Sequence, residues 1–454
     1  MTSGTTTPLH MAGHLAPVPD EIEAFDLPVE GALPPELTGR YFRNGPNPLP
    51  GDVSSHWFTG QGMLHGIRLR DGRAEWYRNR WVRTATMEGR SGIGPDGTFD
   101  RTVGVANTHV IAHAGRIMAL VESSFPQVVT PELATVGPCD FDGRLTTAMT
   151  AHPKTDPVTG ELHFFGYGLT PPYLTYHRLA ADGQLVTSAE IAVPGPTMMH
   201  DFAITDRHAV FLDLPMTFQL ELLAKGMPFG WDPSYGARIG VMALDRPGQV
   251  RWFDVEPNYV FHVGNAFTDA AGRVVLDAAR YAPADAVAMW GGLGADLAAD
   301  AAATGTARLH RWTLDPATGS VTETPLHDQG IEFPTVDDER VGREARYRYA
   351  VADTAGRAGI VKFDTAQGTV AEHAMAAHTV AGEAVFVPSA APGRAEDDGW
   401  LLTITTRRDG SASQLLVLDA TDVAGAAVAA VTLPRGVPSG FHGSWIDDTE
   451  LELS

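Results

Sequence analysis

The sequence predicts an all-β protein, a β-propeller with a cap of loops and short helices over one face. One hairpin pattern recurs at least five times, no Pro/Gly/Ser-rich linker separates its copies, and helical patterns are sparse. Radial repetition of sheets protects strand edges, which favours one propeller over dispersed hairpins. Seven blades would average about 65 residues each. We therefore expect a single domain over residues 1–454; two or three sandwich domains are the alternative.

Each predicted hairpin consists of two alternating apolar and polar runs joined by a turn rich in Asp and Gly. Such turns supply the positive φ angles that tight hairpins require. The five segments are residues 66–77, 175–186, 241–253, 310–321 and 361–370.

Two segments interrupt this pattern with helical character. Residues 218–226 end in a Gly stop, and residues 284–303 are rich in alanine. We interpret the surrounding stretches, about 215–235 and 282–305, as insertions on one face of the propeller. Their apolar residues either cover the core or form the mouth through which an apolar substrate enters.

Composition and motifs exclude several classes of function. Apolar residues make up 44% of the chain and the formal net charge is −22, so the overall field repels nucleic acid. A single cysteine, Cys139, excludes an internal disulfide or a thiolate metal cluster. No phosphate-binding loop or nucleophile elbow is present, and the glycines of residues 92–97 open no predicted helix.

The chain carries no pattern typical of export or membrane insertion. Its amino terminus lacks a basic stretch followed by an apolar core, and its longest uncharged apolar run, residues 423–434, is too short to span a bilayer. We expect a cytoplasmic protein, and the sequence leaves peripheral contact with a membrane surface open.

Four of the 17 histidines stand in a similar setting, near the ends of apolar, strand-like runs. They are His152, His200, His262 and His442. Neutral imidazoles bind iron, copper, zinc or nickel, and ligands dispersed over the chain would suit strands that converge on a propeller axis. By spacing alone the metal site is weakly supported, because a histidine in an apolar strand is more often a hydrogen-bonded core residue.

The sequence motifs around these histidines and elsewhere resemble those of the carotenoid cleavage oxygenase family over essentially the whole chain. The matching motifs include Tyr-Phe-Arg-Asn-Gly-Pro-Asn-Pro at residues 41–48, His-Trp-Phe-Thr-Gly-Gln-Gly-Met at 56–63, Asn-Arg-Trp-Val-Arg-Thr at 79–84, Ala-Asn-Thr-His at 106–109, Met-Ala-Leu-Val-Glu at 118–122, Glu-Asp-Asp-Gly-Trp-Leu-Leu at 396–402 and Gly-Phe-His-Gly-Ser-Trp at 440–445. Each is weak alone, but together and in order they are specific.

The resemblance implies a seven-bladed propeller with one non-haem Fe(II) on its axis, and the cap over that iron face. By motif match, the four histidines are the ligands. Three glutamates, Glu122, Glu332 and Glu383, would hold the ligands from behind, because a carboxylate that accepts the far ring N–H fixes the tautomer. Thr108 matches a threonine whose methyl group hinders one coordination position.

The reaction that the resemblance implies is cleavage of a conjugated C=C bond by O₂, which gives two carbonyl products. It also places Phe58, Trp81 and Val121 on the substrate side of the site. Relatives that cleave lignin-derived stilbenes carry a lysine where Val121 stands and a tyrosine where Trp81 stands. We therefore expect an apolar carotenoid or apocarotenoid substrate, and the alternative is a stilbene or phenylpropenoid such as isoeugenol.

Two other functions stay open on this fold. One is the metal-dependent isomerase-hydrolase chemistry of retinyl esters, but the short loops and the Ala- and Arg-rich composition are typical of a bacterial protein. The other is a scaffold without catalysis, which would be expected to have lost at least one ligand. No matching ligand position is lost in this sequence.

Overall fold

The computed structural model describes residues 8–52, 54–225, 227–293, 305–354 and 357–451. In this part of the chain, the strands form seven antiparallel sheets and one separate two-stranded ribbon. Because each sheet consists mainly of strands adjacent in sequence, the chain builds one blade after another. The prediction of a seven-bladed propeller is confirmed.

The strands of the first half of the described chain are short and closely spaced. They are β1 (Glu23–Phe25), β2 (Val29–Gly31), β3 (Gly39–Pro46), β4 (Gly62–Arg70), β5 (Arg73–Trp81), β6 (His109–His113), β7 (Arg116–Leu120), β8 (Gln127–Val129), β9 (Thr135–Pro138), β10 (Lys154–Thr155), β11 (Leu162–Tyr167), β12 (Leu174–Leu179), β13 (Leu185–Glu190), β14 (Ala203–Ile204), β15 (His208–Asp213) and β16 (Met216–Phe218).

The second half continues the same alternation. Its strands are β17 (Phe229–Trp231), β18 (Arg238–Ala243), β19 (Val250–Asp254), β20 (Tyr259–Thr268), β21 (Val274–Tyr281), β22 (Ala307–Leu314), β23 (Val321–Gly330), β24 (Glu332–Thr335), β25 (Tyr347–Thr354), β26 (Arg357–Asp364), β27 (Thr369–Ala374), β28 (Thr379–Ala381), β29 (Val385–Pro388), β30 (Gly399–Arg407), β31 (Ser413–Asp419), β32 (Ala429–Thr432) and β33 (Gly443–Asp447).

Blades are numbered here in the order in which the chain forms them. Blade 1 has the order β1-β5-β4-β3-β33, blade 2 is β6 to β9, blade 3 is β10 to β13, blade 4 is β14-β15-β18-β19, blade 5 is β20 to β23, and blade 6 is β24 to β27. Blade 7 has the order β2-β32-β31-β30-β28, with β29 also paired to β30. Strands from the beginning and the end of the described chain therefore share blades 1 and 7, and this closes the ring.

All five predicted hairpins are confirmed, and each joins two neighbouring strands of a different blade. They are β4/β5, β12/β13, β18/β19, β22/β23 and β26/β27. In the first, Asp71 and Gly72 have φ angles of 49° and 70°. A turn with two successive positive φ angles has the twist that a tight hairpin needs.

The two predicted insertions differ in form. The first holds the ribbon β16/β17 around a 3-10 helix, Leu220–Lys225, so Phe218 lies in a strand and not in a helix; Gly226 lies outside the described residues. The second holds α1 (Pro283–Gly292), after which residues 294–304 lie outside the described part. A Pro at the start of α1 suits a position where the backbone N–H would have no partner.

The remaining helices of the described chain are short. They are α2 (Asp448–Leu451) and the 3-10 helices Leu9–Met11, Gly13–Leu15, Trp57–Thr59, Ala85–Glu88 and Asp338–Arg340. Among the described residues, none of the helices is long and apolar enough to cross a membrane.

Candidate metal centre

Four buried histidines stand at or near the start of the strand that lies innermost in their blade. His442 directly precedes β33, His152 lies two residues before β10, His200 lies three residues before β14, and His262 lies in the first half of β20. Because the inner strands of a propeller start around one axis, these positions bring four imidazoles together. The ligand nitrogens all lie within 4.8 Å of one another.

Asp201, next to His200, ties three of these blades together. One of its carboxylate oxygens lies 2.7 Å from the Lys154 ammonium of blade 3, and the other accepts a 2.8 Å hydrogen bond from the Val263 backbone N–H of blade 5. Asp201 is itself buried. An ion pair and a charge-assisted hydrogen bond in a buried place hold the neighbouring ligand at a fixed position.

Three of the four ligands donate their Nδ1–H to a glutamate carboxylate. The pairs are His200 with Glu122, His262 with Glu332 at 2.5 Å, and His442 with Glu383 at 2.9 Å. Such a bond places the proton on Nδ1, so the Nε2 lone pair faces the axis. The structure thus brings the three predicted glutamates to the predicted histidines and assigns each to a partner.

The glutamates occupy places that correspond to those of the ligands. Glu332 opens β24 and Glu383 lies between β28 and β29, so blades 6 and 7 supply carboxylates where blades 1, 3, 4 and 5 supply imidazoles. Glu122 follows β7 of blade 2. Burial alone would raise the pKa of Glu332, but His262 outweighs it and lowers the pKa, so this carboxylate stays charged.

The inner nitrogens form a group of acceptors that fits a cation. His152 and His200 turn their Nε2 atoms to each other at 3.0 Å, and the buried Nε2 of His262 has no hydrogen-bond partner among the described residues. Burial and the neighbouring histidines keep the pKa of His152 well below its usual value, so this ring is neutral. Imidazoles bind a divalent transition metal such as iron through an unprotonated ring nitrogen.

Thr108 takes the corresponding position in blade 2, directly before β6. Its carbonyl accepts the backbone N–H of His442 at 3.2 Å, and its hydroxyl donates to the Asn107 side chain at 3.0 Å. The hydroxyl is therefore already engaged. Thr108 lines the cavity beside the histidines, where the predicted hindrance of one coordination position stays a prediction.

An apolar cavity of about 540 Å³ ends at the metal centre. Phe58 and Val121, two of the predicted substrate contacts, lie on its wall. Phe58 packs edge-on against Phe261 and Phe441 at ring-centroid distances of 6.2 and 5.3 Å. Aromatic walls bury large apolar area in a fixed geometry, which suits a flat conjugated molecule.

Trp81 does not lie on this wall. Its indole packs against Val18 and Met63, and its Nε1–H donates to the Asn47 carbonyl at 3.0 Å. Trp81 is the last residue of β5 in blade 1, and its side chain belongs to a small hydrophobic cluster with Val18 and Met63. The structure therefore does not bring Trp81 to the cavity wall, and the expected contact between Trp81 and substrate stays a prediction.

Sequence reasoning missed three residues of the site. Phe261 and Phe441 directly precede ligands, so an aromatic residue before a ligand histidine is the signal that would have found them. Tyr167 lies on the cavity wall and donates to the second carboxylate oxygen of Glu122 at 2.7 Å. No local sequence pattern marks Tyr167.

Replacement of His442 by alanine should abolish iron binding. It removes the ligand that blade 1 contributes, and three imidazoles from three other blades leave the centre open on one side. Elemental analysis of the purified variant measures this. The matched control is His373→Gln, which alters a half-buried histidine whose ring bonds the Gly425 carbonyl away from the four histidines and should keep full iron. Full iron in His442→Ala would contradict the assignment.

Replacement of Glu332 by glutamine should weaken iron affinity or turnover by about 10 to 100-fold with the fold intact. The amide oxygen can still accept the Nδ1–H of His262, but it has no charge to polarise the ring. Metal titration and steady-state kinetics measure the loss, with Glu190→Gln at an exposed strand end as the control. Unchanged affinity and turnover would show that Glu332 does not act through His262.

Comparison with known proteins places this centre in a family. The family model of the retinal pigment epithelial membrane protein matches residues 15–447. The chain is 37% identical to a carotenoid cleavage oxygenase of Mycobacterium tuberculosis, over 97% of this chain and 98% of that protein. It is 33% identical to carotenoid 9,10(9',10')-cleavage dioxygenase 1 of Arabidopsis thaliana, over 98% and 91%.

Solved structures show the same fold. A lignostilbene dioxygenase of Pseudomonas brassicacearum superposes with a TM-score of 0.85 at 29% identity, over 98% of this chain and all of that one. The cobalt-substituted apocarotenoid oxygenase of Synechocystis gives a TM-score of 0.82 at 29% identity, over 97% and 98%. The chain therefore belongs to the retinal pigment epithelial membrane protein family, that of the carotenoid cleavage oxygenases.

Proposed function

We propose that this protein is a non-haem iron dioxygenase that cleaves a conjugated C=C bond of a carotenoid or apocarotenoid. The observation that carries the proposal is a cluster of four imidazoles, three of which (His200, His262 and His442) line an apolar, aromatic-walled cavity. The reaction balances without a further reductant, since one alkene and one O₂ give two carbonyl compounds. One Fe(II) per chain is proposed, because the four histidines form a single centre.

Iron, when held by these histidines, supplies the centre at which O₂ is activated toward the alkene. The protein's own part is to position the double bond. Phe58, Phe261 and Phe441 wall the cavity beside the ligands and can hold a flat chain in one plane. Because binding already fixes the orientation of the double bond, less entropy is lost on the way to the transition state and the reaction is faster. The apolar walls also exclude water.

Two observations support a polyene as the substrate. Val121 presents an apolar side chain on the cavity wall, and the relatives with 37% and 33% identity are named for carotenoid cleavage. The alternative is the cleavage of a stilbene or phenylpropenoid to an aromatic aldehyde. It is favoured by the structural likeness to a lignostilbene dioxygenase, which matches the whole of that chain.

Product analysis tests the substrate class. Iron-loaded protein with O₂ should convert an apocarotenal to two carbonyl fragments with a higher kcat/KM than it shows for 4-hydroxystilbene or isoeugenol, because kcat/KM measures discrimination. His442→Ala is the inactive control. Efficient release of a benzaldehyde with no polyene cleavage would establish the alternative. Absence of O₂ uptake with every alkene would contradict dioxygenase chemistry itself.

We also propose that the protein acts in the cytoplasm and touches a membrane surface at the mouth of its cavity, where an apolar substrate would enter. Ile93 and Phe99 pair across an isolated β-bridge, line the cavity, and are 50% and 37% exposed. Large exposed apolar side chains at an entrance are typical of contact sites.

Cosedimentation with liposomes tests this contact. Ile93→Ser together with Phe99→Ser should reduce binding to neutral vesicles by several-fold, because each change removes apolar area from the lipid contact. Val158→Ser, at an exposed valine away from the cavity, is the control. Equal binding by the double variant and the control would contradict the proposed contact.

A further inference from the structure

A single basic side chain lines the apolar cavity. Among the described residues on its wall, Arg101 is the one lysine or arginine. Its guanidinium lies over the Phe99 ring at 4.7 Å, and its Nη1 donates to the Ser123 carbonyl at 3.2 Å. No carboxylate of the described chain forms an ion pair with it. A guanidinium has five N–H donors, so most of its capacity is uncommitted.

The acidic groups on the same wall are already engaged. Asp100 accepts hydrogen bonds from Arg90 at 2.9 Å and from the Thr102 hydroxyl at 2.6 Å. Glu122 and Glu332 each accept from a ligand histidine. Arg101 is therefore a half-buried cation at the mouth of the cavity, beside the partly exposed Phe99, and no carboxylate of the described residues pairs with it in a protein whose net charge is −22.

Arg101 contacts the segment that carries Glu122, the carboxylate partner of His200. Ser123, whose carbonyl it binds, directly follows Glu122, and Val121 precedes that glutamate on the same wall. Burial lowers the pKa of Arg101 and the nearby Tyr167 opposes this, but an arginine remains charged. Val121 offers no charged group to this part of the wall, but Arg101 lies beside the same segment, since it binds the Ser123 carbonyl.

We propose that Arg101 binds an acidic oxygen, a carboxylate or a phenolic oxygen, at one end of the conjugated substrate. The proposal rests on the proposed function and refines it, because a hydrocarbon end group would leave the cation without a partner. Charge-assisted bonds from a guanidinium to a carboxylate are strong and directional. Arg101 would then fix how far the chain reaches past the metal, and so which double bond lies there.

Binding of paired probes to the iron-loaded protein under anaerobic conditions tests this role. One pair is a polyene carboxylate, retinoic acid, and its methyl ester; the other is 4-hydroxystilbene and its methyl ether. The wild-type protein should bind the acidic member of at least one pair about 10 to 100-fold more tightly, the scale of a charge-assisted contact. The pair that discriminates identifies the end group.

Arg101→Gln should remove this preference and leave the affinity for the ester and the methyl ether unchanged, while Arg101→Lys should keep part of it. Arg273→Gln removes an exposed positive charge paired with Asp269 outside the cavity and is the matched control. An equal ratio in wild type and Arg101→Gln would overturn the role of Arg101 alone. Failure of all four probes to bind would overturn the proposed function with it.

Discussion

The site depends on the closure of the propeller by its last strand. β33 comes from the end of the described chain and pairs with β3 from its beginning, with Arg43 opposite Gly443 and Gly39 opposite Asp447. It also contacts β29 of blade 7 and β6 of blade 2. Because His442 directly precedes β33, the pairing that closes the ring also delivers the fourth ligand. The same strand pairing therefore closes the fold and positions His442.

The inner strands form a ring of seven positions around the axis. Blades 1, 3, 4 and 5 have a histidine at this position, and blades 6 and 7 have a glutamate. Blade 2 has Thr108 there, and its Glu122 follows the next strand, β7. Each carboxylate accepts the Nδ1–H of one histidine. This arrangement fixes the orientation of three rings and leaves their Nε2 atoms to face the axis, where a metal would bind.

Much of this was predictable from local sequence. The hairpins follow from Asp-Gly turns between alternating runs, and Gly183, Gly248, Gly319 and Gly368 all adopt positive φ in the structure. The ligands and glutamates were identified by family motifs, and spacing alone did not distinguish the histidines from core residues. Which glutamate serves which histidine depends on contacts between blades, so no sequence window contains it.

The placements that the sequence did not predict have the same origin. Trp81 lies in a motif shared with the family, but the direction of a side chain on β5 depends on how the strand packs against Val18 and Met63. Arg101 lies in a loop without a pattern, and its place beside Phe99 on the cavity wall depends on the fold of that loop. Loops brought together by the ring line the cavity, and their contacts are long-range.

Four imidazoles and no carboxylate should bind the metal. X-ray absorption spectroscopy of the iron-loaded protein decides this, because multiple scattering distinguishes imidazole rings from carboxylate oxygens. We expect four imidazole nitrogens in the inner coordination shell of one iron per chain, with any oxygen ligands coming from solvent. A spectrum that requires a glutamate oxygen bound to the iron, or fewer than four imidazoles, would contradict it.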